Sequence, residues 1–260
     1  MISLERRERA EILRSAREAE TTQKAPRLLL RTQTIARYRA PPETTAYPLE
    51  YAFHLLGDAR GQTILEYGCG DGENTVVLAH RGAKIIALDI SAELLDVTRK
   101  RLEVNGCEEE VELLIGSAHC LPLSDESVDV IFGMAILHHL DLEPASKEVL
   151  RVLKKGGRAI FEEPLRNSKL VDKLRRLFPK RAEVSPFEQP LTEEQIRDFA
   201  GPCKYRAKTF QLVLSSLASL VPRWNKQAFH VAAHIDAFLL RLFPRLAYYG
   251  TVKVFELVKE

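Results

Sequence analysis

The chain has 260 residues, 45% of them hydrophobic and 28% charged, with a net charge of +2. That is an ordinary globular composition, long enough for one large domain with additions. Its four cysteines, Cys69, Cys107, Cys120 and Cys203, lack C-x-x-C spacing, and no apolar run reaches the roughly 18 residues of a membrane span, which excludes zinc ribbons, iron–sulfur clusters, disulfide frameworks and a spanning helix.

The opening MISLERRERAEILRS is too charged for a signal peptide, so a cytoplasmic, reducing location is expected. Residues 1–20 read as an amphipathic charged helix. The stretch 24–48, with Pro26, Pro41, Pro42 and Pro48 beside Tyr38 and Tyr47, reads as an irregular cover closing a cleft. Residues 1–48 are thus expected to form a helical cover on a main domain of 49–260, which starts with a helix over 49–56. Residues 1–40 carry ten Lys or Arg against five Glu. Such a patch suits an anionic surface or simply a solvated helix face.

The segment LEYGCGDGENTVVLA (65–79) follows a short apolar strand, 63–67, and enters a helix. Gly68, Gly70 and Gly72 therefore sit on a strand-to-helix turn, where backbone can approach a ligand and helix N–H groups are free. A ligand bearing a ribose or phosphate, or a tight turn with none, both fit that feature. Glu73 stands where a dinucleotide fingerprint wants its third glycine, and no Lys-Ser/Thr closes a triphosphate cradle. Glu66, two places before the first glycine, suits a cationic ligand better than a pyrophosphate. A second strand, 84–89, ends in Asp89, 21 residues after Gly68, where a carboxylate can accept from both ribose hydroxyls or merely introduce the next helix. Ser91 caps that helix. Strands at 111–115, 128–133 and 157–162 alternate with helices, which implies a parallel sheet covered on both faces.

Glu66-x-Gly68-x-Gly70-x-Gly72 with Asp89 resembles the class I methyltransferases that use S-adenosylmethionine. Gly116-Ser117-Ala118, Asp125 to Ile131, Ala135 to Leu140 and Glu148 to Gly157 agree with that family in order and spacing, over roughly residues 45–165. The resemblance implies an α/β fold: a seven-stranded, mostly parallel sheet with helices on both faces. It also implies S-adenosyl-L-methionine as cofactor, S-adenosyl-L-homocysteine as product, and contacts from Glu66, Gly68, Cys69, Gly70, Asp89, Ile90, Ser117, Ala118 and Ala135. Ser117 departs from the family, where an Asp commonly accepts from the adenine amino group. Adenine is then expected to rest more on backbone and apolar contacts.

Beyond Pro164 the pattern changes. A basic amphipathic helix is expected over 168–178, within a 164–181 stretch carrying seven Lys or Arg against one Asp. Thr192 and Gln195 form a helix-capping pair. Strands are expected at 204–214 and 251–258, normally hairpin neighbours in this family, with a helical insertion of about 36 residues, 215–250, between them. The insertion holds Trp224, Phe229, Phe238, Phe243, Tyr248 and Tyr249, and its four basic residues face one acid, Asp236. It can be a lid over an apolar acceptor, a membrane-surface helix, or extra core packed on the sheet. The lid, favouring apolar acceptors, is the expectation carried forward.

Methyl transfer aligns an acceptor with a sulfonium carbon, and a hydroxyl, thiol or ammonium acceptor needs a base. His138 and His139 follow the fourth strand at the sheet's carboxyl edge; one of them is the expected base, unless both only pack a helix start. Glu163, before Pro164, is a second candidate for base or substrate orienter, while Glu162 and Glu163 can instead be solvated or paired with Arg166. His230 and His234, four apart, lack a third ligand, so no metal site is expected. In the family that the chain resembles, enzymes methylating base amino groups typically carry an Asn/Asp-Pro-Pro-aromatic run after the fourth strand; none stands here, and no basic arm with interleaved aromatics occurs. This argues against DNA and RNA and for a small, apolar acceptor, with peripheral membrane contact through 215–250. The rival readings are an RNA methyltransferase using 164–181, and a non-catalytic protein that binds the cofactor or a membrane surface.

Overall fold

The computed structural model describes residues 4–23, 28–168, 188–212, 214–215 and 226–260. Seven strands, β1 (Thr63–Tyr67), β2 (Lys84–Asp89), β3 (Val111–Ile115), β4 (Val128–Met134), β5 (Leu153–Pro164), β6 (Lys204–Phe210) and β7 (Val252–Val258), form one sheet in the order β3-β2-β1-β4-β5-β7-β6. The first five run parallel, while β7 lies antiparallel to both β5 and β6. The chain leaves β1 for β2 on one side and returns to β4 on the other. Such a switch point opens a crevice at the carboxyl ends of the strands.

Both faces of the sheet are covered, so its central strands β1, β2 and β4 read as near-continuous apolar runs rather than alternating ones. Leu65, Tyr67, Ile131 and Phe161 pack on one face with α6 (Leu142–Val152) and α7 (Glu193–Ala200). Ile64, Ile85, Val130 and Phe132 pack on the other with α3 (Pro48–Leu56), α4 (Glu73–Ala79) and α5 (Ala92–Asn105). Ser91 Oγ caps α5 by accepting from Leu94 N at 3.2 Å, and Thr192 with Gln195 forms a complete capping box on α7. At the N-terminus, α1 (Leu4–Gln23) lies on α5 through Ala19, Leu94 and Val97.

Three details differ from the sequence reading. The proline-rich stretch contains a helix, α2 (Thr32–Arg39), which the flanking prolines mask. Strand β6 stops at Phe210 rather than running to 214, because Gln211 takes φ +55 and the buried Asp236 carboxylate draws in the N–H groups of Leu212 (2.9 Å) and Ser215 (3.0 Å). Strand β5 begins at Leu153 and carries Glu163 inside it, paired with Lys253 of β7. Apart from Ser168, the helix expected over 168–178 lies outside the described residues.

Within the insertion, α8 (Lys226–Leu242) packs on β6 and is followed by a 3-10 turn, Pro244–Tyr249. Because β6 ends and β7 begins beside Pro164, the insertion rises from the carboxyl edge of the sheet.

Candidate active site at the carboxyl edge of the sheet

The turn after β1 has a steric reason for its glycines. Gly68 sits at φ +81, and a Cβ there would lie 2.8 Å from Ile136 Cδ1. Gly70 sits at φ +56 with nothing within 4 Å of where its Cβ would be. Its N–H donates to Asp89 Oδ2 at 2.9 Å, while Ser91 N–H donates to Asp89 Oδ1 at 2.9 Å. Asp89 is thus held rigidly at the end of β2, 9% exposed, with burial pushing its carboxyl up to about 6.

A cavity of about 320 Å³ lies over this turn. Of the residues expected to contact a cofactor, Gly68, Gly70, Asp89, Ile90, Ser117, Ala118 and Ala135 line it, as do His138 and His139. Glu66 and Cys69 do not. Glu66 lies beneath the turn, accepting from Thr75 Oγ1 at 2.6 Å, and burial pushes it up to about 8. Its place is that of a support for α4 and the glycine turn rather than a wall of the cavity.

The roof is α1, which contributes Arg7, Glu8, Glu11, Arg14, Ser15 and Glu18. Arg7 Nη1 donates to the carbonyls of His139 (3.2 Å) and Leu140 (2.8 Å). Glu8 Oε1 accepts from Ser117 Oγ and lies 3.0 Å from His119 Nδ1. Arg14 bridges Glu11 (2.6 Å) and Glu18 (2.8 Å). The cleft is therefore closed by α1 and not by the Tyr38–Tyr47 region. Tyr38 packs its ring on Phe53, 5.0 Å between centroids, and Tyr47 Oη meets His230 Nδ1 of α8 at 2.5 Å.

The two adjacent histidines have different surroundings. His138 Nδ1 lies 2.8 Å from Glu163 Oε2, and its Nε2 lies 3.7 Å from Glu188 Oε1. Burial alone would lower this imidazole, but the two carboxylates outweigh it and hold it up at about 9, so His138 carries a proton at neutral pH. Glu163 also accepts the N–H groups of Ile136 (2.9 Å), Leu137 (2.6 Å) and His138 (3.3 Å), and it is fully buried. A carboxylate so engaged, and absent from the cavity wall, is no free base; its geometry is that of a brace for the turn after β4. His139, like His138, lines the cavity, but its sealed Nδ1 faces Glu11 Oε2 at 3.3 Å rather than Glu163.

Sequence reasoning missed Glu8, Glu11, His119 and Glu188. Glu8, Glu11, Ser15 and Glu18 recur at helical spacing, which marks one polar face of α1 but not what that face covers. His230 and His234 both pack against Tyr47. Among the described residues, His138, His139 and Glu188 are the one set of three metal-capable side chains brought together, their ligand atoms within 4.8 Å of one another.

The donor set fits a nucleoside sulfonium. Asp89 offers a fixed carboxylate for a vicinal diol, Gly68 and Gly70 leave room for close approach, and anionic groups favour a cation. A small base beside an apolar wall of Met134, Ala135, Ile136 and Leu140 completes a site for group transfer.

Comparison with known proteins agrees. The sequence signature described as "Methyltransferase domain" matches residues 65–161. The chain is 32% identical over 199 residues to an uncharacterized methyltransferase of Schizosaccharomyces pombe, covering 70% of this chain and 75% of that one. It is 34% identical over 112 residues to the demethylmenaquinone methyltransferase of Lactococcus lactis, a match spanning 42% of this chain and 44% of that relative. Among solved structures, the geranyl diphosphate C-methyltransferase of Streptomyces coelicolor superposes with a TM-score of 0.60 at 16% identity, over 81% of this chain and 78% of that one. A SAM-dependent methyltransferase of Aquifex aeolicus gives a TM-score of 0.55 at 16% identity, over 89% of this chain and 100% of that one.

Proposed function

The chain belongs to the class I S-adenosylmethionine-dependent methyltransferases, and on that premise we propose that it methylates a small apolar acceptor, with His139 as the proton acceptor. The observation that carries this reading is the juxtaposition, in one cavity, of Asp89 and the glycine turn with His139 and the apolar residues after β4.

When bound, the cofactor supplies an electrophilic methyl group on a sulfonium. Asp89 would hold its ribose, with Gly68, Gly70, Ile90, Ser117, Ala118 and Ala135 around it. Among this chain's residues, α1 excludes water from above, and the low dielectric of the enclosed cleft favours charge leaving the sulfonium. His139 receives the acceptor's proton, and Glu11 beside Nδ1 stabilises the resulting imidazolium. Burial alone would raise the Glu11 carboxyl, but His139 and Arg14 hold it below its ordinary value and hence ionised. His138, already protonated, serves the fold.

Two observations favour an apolar acceptor. The cavity wall near His139 is Met134, Ile136 and Leu140. On α8, Val231, Ile235, Phe238 and Leu242 fall on one helical face and are all exposed, Phe238 by 60%. Asp236, the only acid of the insertion, is buried on the opposite side, so the outer surface keeps only cations such as Arg241 and Arg245 beside the apolar stripe. That combination suits an anionic lipid surface from which an apolar acceptor is drawn. Among the described residues no helix is long and apolar enough to cross a membrane. The match to a demethylmenaquinone methyltransferase supports a quinol-like ring as one class to try.

The test is an acceptor screen of quinols, prenylated phenols and alkyl thiols, read by the mass gain of one methyl group. Methylation of these over hydrophilic amines and RNA is expected; transfer confined to RNA would replace this reading with the nucleic-acid one.

A further inference from the structure

Ser117 occupies the place where a carboxylate is expected, and a carboxylate nevertheless stands there, carried by another element. Glu8 of α1 places Oε1 against Ser117 Oγ and 3.0 Å from His119 Nδ1. His119 Nε2 accepts from Asp141 N–H at 3.0 Å, which fixes the tautomer with its hydrogen on Nδ1, so His119 donates to Glu8. Ser117 Oγ donates to the same oxygen. Two donors thus pin Oε1, and among the described residues Oε2 has no partner although Glu8 lines the cavity. The site is built: the His119 side chain is 3% exposed and that of Glu8 24%.

The cavity has two ends. The sheet order β3-β2-β1-β4 puts Ile90, Ser117 and Ala118 on one side of the glycine turn, with Glu8 against Ser117, and Ala135 and His139 on the other, where transfer would occur with a ribose on Asp89. A purine base must lie at the Ser117 end. Ile90 and Ala118 offer apolar contact to its faces, and an exocyclic amino group needs an acceptor at its edge.

We propose that Glu8 of the N-terminal helix is a specificity-determining residue of the cofactor site: its Oε2 accepts the 6-amino group of adenine, replacing the carboxylate that Ser117 lacks. The cofactor site is then completed by α1, and a 6-aminopurine is selected only when that helix is seated. Arg7, gripping the carbonyls of His139 and Leu140, fixes the register that brings Glu8 to Ser117. A 6-oxopurine, presenting a carbonyl to the carboxylate, is repelled.

Calorimetric titration of the full chain with S-adenosylhomocysteine and with its analogue lacking the 6-amino group tests this without any acceptor. The wild type is expected to prefer the amino form by about ten- to a hundredfold, the range of a hydrogen bond to a charged group. In Glu8→Ala the preference should shrink to about twofold or less, and adding Ser117→Asp to that variant should restore it by returning a carboxylate to the loop. An undiminished preference in Glu8→Ala overturns the proposal. So does an equal weakening of both ligands, which would leave Glu8 a role only in seating α1. Absence of binding to the wild type would instead strike at the cofactor site itself.

Discussion

Glu163 Oε2 and His138 Nδ1 lie 2.8 Å apart in the buried seam between β5 and the turn after β4. The same carboxylate accepts three consecutive N–H groups, those of Ile136, Leu137 and His138. Removing it strands four donors, three of them buried and one cationic. Glu163→Ala is therefore expected to cost about 3–5 kcal/mol of stability, as for breaking a buried charge pair. Urea unfolding measures this; a loss under about 1 kcal/mol would show that the seam tolerates an unpaired His138.

The buried titratable groups make a signed prediction about pH. Burial raises Asp89 to about 6 and Glu66 to about 8, while the flanking carboxylates outweigh burial to raise His138 to about 9. All three bind a proton more tightly folded than unfolded, so their contribution is complete at low pH and is lost as pH rises through each folded value. The thermal midpoint of the ligand-free protein should fall as pH rises from about 4, the ordinary value for Asp89, to about 9, the folded value of His138. Glu66→Gln, which mimics the protonated acid, should flatten the middle of that slope. A midpoint rising over this window would contradict the assignment.

The two histidines should separate by readout. His139→Ala is expected to lower turnover about 10²–10⁴-fold, the usual worth of a positioned base, while cofactor affinity stays nearly unchanged. His138→Ala should instead lose stability along with Glu163. Full turnover in His139→Ala would mean that the acceptor needs no base from this position.

The apolar stripe of α8 should bind vesicles. Phe238→Asp with Leu242→Asp is expected to abolish co-sedimentation with phosphatidylglycerol vesicles and to leave cofactor affinity unaltered, since α8 contributes no residue to the cofactor cavity. Undiminished vesicle binding, or a wild-type dimer that these substitutions dissolve, would make the stripe something other than a lipid surface.

Much of this was legible in the sequence. The parallel strands, the glycine turn, Asp89 and the caps at Ser91 and Thr192 depend on local pattern: apolar runs, residues allowed at positive φ, and side chains that cap their own helix. What stayed hidden depends on distance along the chain. Glu188 reaches His138 across 50 residues, and Glu8 reaches Ser117 across 109. A charged amphipathic helix such as α1 declares that one face is covered without naming the partner, whereas Tyr38 and Tyr47 among prolines read as the cover. Glu163 looked available because a glutamate at a strand end is usually wet. Only the pairing of β5 with β7 up to Pro164 shows that it is not.

Whether the cavity between Asp89 and α1 holds S-adenosylmethionine is read most directly by calorimetry on wild type and Asp89→Ala. One cofactor per chain is expected for the wild type, with affinity weakened in Asp89→Ala by about ten- to a hundredfold at unchanged circular dichroism, the loss of a hydrogen bond to a charged group. Equal affinity in the two proteins would place the cofactor elsewhere and contradict the account.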